Sequence, residues 1–133
     1  MAAKAVIKEV NAWIRKAEAD FQNIELVLPA KSAPFDTVCF HAQQAAEKYI
    51  KALLTFYGIP FGKSHDLDKL INLLPPKSKV QAMVGDLSEL SDAAVMTRYP
   101  EDLDEEYDRE IAERLVQQAL MVKSAVMDEL KQL

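Results

Sequence analysis

Three observations predict an all-α protein, an antiparallel up-and-down bundle of four to five helices. Apolar residues recur at three- and four-residue intervals over long stretches, which is the period of a helix and not the alternation of a strand. Only three of the 133 residues are glycine, and Ala, Leu, Glu and Lys abound, a composition that favours helices. The interruptions fall at prolines and glycines, where helices stop.

The first helix is expected over about residues 3 to 28, carried by Val6, Val10, Trp13, Ile14, Ala17, Phe21, Ile24, Leu26, Val27 and Leu28. Pro29 and Pro34 bracket the break that follows. The second helix should start near Phe35 and Asp36 and run to Gly58, through Val38, Phe40, Ala42, Ala45, Ala46, Tyr49, Ile50, Leu53, Leu54 and Phe56. It is apolar around much of its circumference, which suits the middle of a bundle or a dimer seam. Ser64 or Asp66 can cap a short third helix with Leu67, Leu70, Ile71, Leu73 and Leu74, ended by Pro75 and Pro76. A fourth helical stretch is expected over about 77 to 96, broken near Gly85. The last should begin near Asp104 and carry Tyr107, Ile111, Leu115, Ala119, Val122, Val126 and Leu130. With no repeat and no flexible linker, residues 1–133 read as a single domain.

Composition narrows the function. The lone Cys39 makes no internal disulfide and no cysteine–histidine spacing resembles a zinc site, so a reducing cytoplasmic setting is expected and no metal or cofactor is. No apolar run is long enough for a signal peptide or a membrane span. The net charge is −5, and the acidity is local: residues 101–110 hold seven acids and one arginine, which leaves the rest of the chain at +1. That balance gives no basic face for DNA.

The second helix interrupts its apolar pattern with polar residues on one side. His41, Gln44, Lys48 and Lys51 are spaced three, four and three apart, so a helix stacks them in one stripe. A lysine on so apolar a helix is costly unless its ammonium reaches water or an anion. Glu47 is only one residue from Lys48 and is expected to point elsewhere, so both lysines should seek an anionic partner. Ahead of the last helix, Arg98-Tyr99-Pro100 joins a guanidinium suited to phosphate with a ring on which a base can stack. The alternative there is an arginine paired with Glu101, Asp102 or Glu105. His65, at a helix start, either reaches that turn or packs locally.

Taken in order, these segments resemble the HEPN family of prokaryotic helical domains over nearly the entire chain. The resemblance rests on Trp13, Ala17, Asp20 and Phe21; on the run from His41 to Lys48 with Lys51-Ala52-Leu53; on His65-Asp66-Leu67; and on Arg98-Tyr99-Pro100. It implies a four- or five-helix bundle, dimeric, that handles nucleotides or RNA and is made beside a minimal nucleotidyltransferase in a two-component toxin–antitoxin system. Many members are metal-independent ribonucleases whose motif is an Arg followed, after four to six residues, by a His. After Arg98 those positions hold Leu103, Asp104 and Glu105, so the motif is absent and the chain resembles the subgroup with an Arg-Tyr-Pro turn in its place.

The expected function is therefore a non-catalytic nucleotide- or RNA-binding subunit, a homodimer acting with a nucleotidyltransferase. Arg98, Tyr99, His65 and Lys48 are the phosphate-binding candidates, while His41, Gln44 and Lys51 form a structural stripe or dimer seam. The alternatives are a ribonuclease in which His65 or His41 replaces the missing histidine, and a ligand-free structural adaptor.

Overall fold

A computed structural model describes residues 3–96 and 107–133, and these contain six helices: α1 (Lys4–Val27), α2 (Phe35–Tyr57), α3 (Leu67–Asn72), α4 (Val80–Val84), α5 (Ser88–Met96) and α6 (Arg109–Gln132). No strand occurs among the described residues. The expected all-helical architecture is what forms, with the fourth stretch split by Gly85 into α4 and α5.

The helix ends follow local chemistry. Gly58 closes α2 at φ +71°, a left-handed conformation that costs a glycine little. There the Ile59 N–H bonds to the Leu54 carbonyl and the Gly58 N–H to that of Thr55, which satisfies carbonyls the helix would orphan. Asp66 caps α3 by accepting from the N–H groups of Asp68 and Lys69. The last helix starts at Arg109 and not near Asp104. Asp108 is extended there and its carboxylate accepts from the Ile111 N–H, so the cap stands later than the apolar stripe suggests. Tyr107 accordingly precedes α6 and packs against the core from outside the helix.

Side-chain contacts fix the directions. Asp20 meets His41 and Lys48, while Trp13 meets Lys51, so α1 and α2 run antiparallel. Glu18 pairs with Lys123, and Arg109 donates to the carbonyls of Leu28 and Ala30 at 2.9 and 2.7 Å, so α6 also opposes α1. Glu129 is bonded to Ser78, and Glu89 to Arg114, so the α4–α5 segment runs against α6. The result is an up-down-up-down arrangement whose third limb is assembled from short helices.

α2 lies at the centre. Tyr49, Ile50, Leu53 and Leu54 are fully buried there and pack with Leu67, Leu70, Leu90 and Leu115 from the other helices and with Leu87 from the turn between α4 and α5. Leu26, expected on the inner stripe of α1, is 75% exposed. It sits beyond Ile24 on a flank that no helix among the described residues covers. Among the described residues no helix is long and apolar enough to cross a membrane.

Candidate functional site

Two carboxylates organise the polar face of α2. Asp20 projects from α1 at a position in register with Ala17 and Ile24, both buried, and is itself only 6% exposed. Its Oδ1 lies 2.8 Å from His41 Nδ1 and its Oδ2 accepts from Lys48 Nζ at 2.6 Å. Glu47, 4% exposed, turns into the bundle. Its Oε2 accepts from Lys51 Nζ at 3.1 Å, and its Oε1 lies 2.7 Å from His65 Nδ1 and 3.3 Å from Gln43 Nε2.

Glu47 does point away from Lys48, as expected of adjacent helical positions, and pairs with Lys51, which the expected stripe placed beside Lys48. At helical spacing Glu47 and Lys51 are i,i+4 neighbours, and burial of both makes the pairing the least costly state for either charge. The two lysines do find anionic partners, but inside the chain. Lys51 is 6% exposed and its ammonium also faces two rings, 5.7 Å from the Trp13 centroid and 5.4 Å from that of Phe61.

Gln43 is completely buried, yet it bonds in both directions. Its Nε2 donates to the His65 carbonyl at 3.0 Å, and its Oε1 accepts from Gln44 Nε2 at 2.7 Å. The loop between α2 and α3 is thereby clamped at His65, just before the Asp66 cap. Ser91 on α5 holds the next residue by accepting from the Leu67 N–H at 2.9 Å.

The candidate residues consequently differ in access. The His65 side chain is 48% exposed, that of His41 26% and that of Lys48 20%. An ionised carboxylate offers only acceptors, so a histidine hydrogen-bonded to it at Nδ1 carries the proton there. His65 Nε2 then remains without a hydrogen bond among the described residues, on a side chain that is half exposed. In the neutral ring it accepts a proton; in the charged ring it donates to an anion. Arg98 and Tyr99 lie outside the described residues. Among the described residues, no group of three or more His, Cys, Asp or Glu side chains could hold a metal ion.

Asp20, Gln43 and Glu47 join the site in the structure without being candidates from sequence. A signal existed for each, a strongly polar side chain at a core-facing helical position, but only the three-dimensional neighbours supply the partners.

A model of the HEPN domain family matches residues 10–130, from the first turns of α1 almost to the end of α6. The chain belongs to the HEPN domain family. It is also similar to a protein of Methanocaldococcus jannaschii named "Putative toxin MJ1304", with 30% identity over 95% of this chain and 91% of that protein. No solved structure gives a significant match. The HEPN match encloses both carboxylates and all their partners, so the polar network is internal to the domain.

Proposed function

We propose that this HEPN domain is a non-catalytic nucleotide- or RNA-binding subunit of a toxin–antitoxin-like pair, homodimeric and acting with a minimal nucleotidyltransferase. Membership of the family and likeness to a protein named as a toxin support the setting. The observation that carries the binding role is His65: a half-exposed ring held at Nδ1 by a buried carboxylate, with Nε2 making no hydrogen bond to a described residue. Protonated, it offers a phosphate oxygen a charge-assisted hydrogen bond.

Arg98 would add a bidentate phosphate contact and Tyr99 a stacking surface. Lys48 contributes field more than a direct contact, because Asp20 already holds its ammonium. The acids of residues 101–110 would meet a basic partner. Thermal melting with added nucleotides and short RNAs tests the reading, since a ligand specific for the native state raises stability by about 2.7 kcal/mol at a hundredfold excess over Kd. The rise should shrink in His65→Ala and Arg98→Ala. Absence of any rise at millimolar nucleotide, with no retention of RNA, would favour the ligand-free adaptor.

The Glu47–His65 pair also favours a second reading, a metal-independent ribonuclease. A neutral His65 held through Nδ1 presents Nε2 as the base for a ribose 2′-hydroxyl, and Arg98 would stabilise the phosphorane. This reading requires RNA cleavage in the presence of a chelator that is abolished by His65→Ala and by Arg98→Ala. Intact RNA across many sequences would sink it.

A further inference from the structure

Trp13 is the only tryptophan in the chain, and its indole is fixed from α2 and the following loop. Phe61 meets it edge-on, with 6.0 Å between centroids and 71° between planes, and the Lys51 ammonium lies 5.7 Å from its centroid. Neither Phe61 nor Lys51 lines the hollow that opens beside the ring. That hollow, about 200 Å³, is walled by Glu9, Ala12, Trp13 and Lys16, all from α1. Glu9 and Lys16 are exposed and make no ion pair with any described residue.

We propose that this hollow is a nucleobase subsite. The indole supplies the flat apolar surface on which a base stacks, and Ala12 leaves that surface uncovered. Glu9 accepts from an exocyclic amino group, and Lys16 meets a phosphate. The volume lies below the roughly 300–1,000 Å³ of pockets that engulf a whole ligand, so one ring enters and the ribose and phosphates stay outside. The loop that brings Phe61 to Trp13 continues through Lys63, exposed and without an ion pair among the described residues, to His65. One ammonium and one carboxylate, Lys51 and Glu47, separate the indole from the His65 ring.

The inference rests on the nucleotide-binding reading and adds a selectivity to it. A carboxylate facing the base favours adenine, cytosine and guanine, which carry amino groups, over uracil, which carries none. Because Trp13 is the sole indole, its emission reports the subsite directly. The full chain is titrated with ATP, UTP, an oligoadenylate and an oligouridylate, with free tryptophan correcting for nucleotide absorbance, and melting temperature is followed in parallel.

Saturable quenching by the adenine ligands, weaker with the uracil ligands, is the expected result. Glu9→Gln, whose amide still accepts but also donates to a uracil carbonyl, should weaken the preference, and Lys16→Ala should weaken binding several-fold. Both positions are exposed, so the variants keep the fold; Trp13→Ala, which also loses Phe61 and Lys51, should weaken binding roughly tenfold where it folds. Quenching by ATP identifies a mononucleotide as the source of the base, and quenching by oligoadenylate alone identifies RNA. Melting shifts with unchanged Trp13 emission, or binding and preference unaltered in Glu9→Gln/Lys16→Ala, overturn the subsite alone. No melting shift with any ligand overturns the nucleotide-binding reading with it.

Discussion

Glu47 Oε1 and His65 Nδ1 stand 2.7 Å apart, a contact between the middle of α2 and the residue preceding the α3 cap. The same carboxylate holds Lys51 through its other oxygen. One buried acid therefore orients an exposed histidine and neutralises a buried ammonium, so its removal should be felt both in stability and at the surface.

Glu47→Gln leaves the Lys51 ammonium buried against two aromatic faces with no anion, since the Lys51 side chain is only 7% exposed. Breaking a buried pair from one side costs about 3–5 kcal/mol, and urea denaturation should register a loss in that range. Adding Lys51→Met removes the stranded charge, so the double variant should lose clearly less than the two single losses combined. A loss below about 1 kcal/mol for Glu47→Gln would mean that Lys51 reaches water after all.

Asp20→Asn should cost less than Glu47→Gln. The side chains that Asp20 serves, Lys48 at 20% and His41 at 26% exposure, can turn toward solvent when the carboxylate goes. The order of the two denaturation midpoints is the measurement. The reverse order would show that access to water does not govern the cost of these pairs.

The difference between these two acids also explains what the sequence could disclose. Helix periodicity and the Gly58 stop place α2 correctly, because both act over a few neighbouring residues. The stripe of His41, Gln44, Lys48 and Lys51 is legible for the same reason. Its partners are not, because Asp20 is 28 residues before Lys48 and His65 is 18 after Glu47. Glu47 and Lys51, at i,i+4, could have been paired from spacing alone. The start of α6 is not legible, because the acids before it all qualify for a first turn and only the extended backbone of Asp108 identifies the cap.

Cys39 should be inert in the native protein. Burial first, then the nearby carboxylates of Asp36 and Glu89, push its thiol up to about 12, and the thiolate is the reactive form. A thiol reagent at mildly alkaline pH should modify Cys39 only at the rate of unfolding, and promptly in denaturant. Rapid modification of the native chain would show that α2 opens locally at its first turns.

The Glu89–Arg114 pair joins α5 to α6 with contacts of 3.0 and 2.7 Å. The hydrogen bond from Arg114 holds the Glu89 carboxyl below its ordinary value. A depressed folded value means that the stabilisation is present above the unfolded carboxylate range and is lost as pH falls through the lower folded one. Glu89→Gln should therefore lower the melting temperature slightly near neutrality and flatten its decline in acid, where the natural carboxylate is protonated. Both side chains are largely exposed, so added salt should reduce the difference. Parallel pH dependences for the two proteins would remove this pair from the acid response.

Glu129 ties three segments at the far end of the bundle. It accepts from the Tyr57 hydroxyl at 2.8 Å, from the Ser78 hydroxyl at 3.1 Å and from the Lys79 N–H at 2.8 Å, so the last turn of α2 and the approach to α4 depend on α6. Glu129→Ala removes the acceptor from all three donors and should cost about 1–3 kcal/mol. Tyr57 supplies a second readout. Burial, followed by the bond and charge of Glu129, pushes its hydroxyl up to about 12. A raised folded value means that its stabilising contribution is complete below the ordinary tyrosine range and disappears as pH rises through that value. In Glu129→Ala burial remains while the carboxylate is gone, so ultraviolet titration, with Tyr57→Phe as the difference standard, should find Tyr57 ionising at lower pH. An unchanged titration would show that burial alone sets it, and that the loss of stability comes from Ser78 and Lys79.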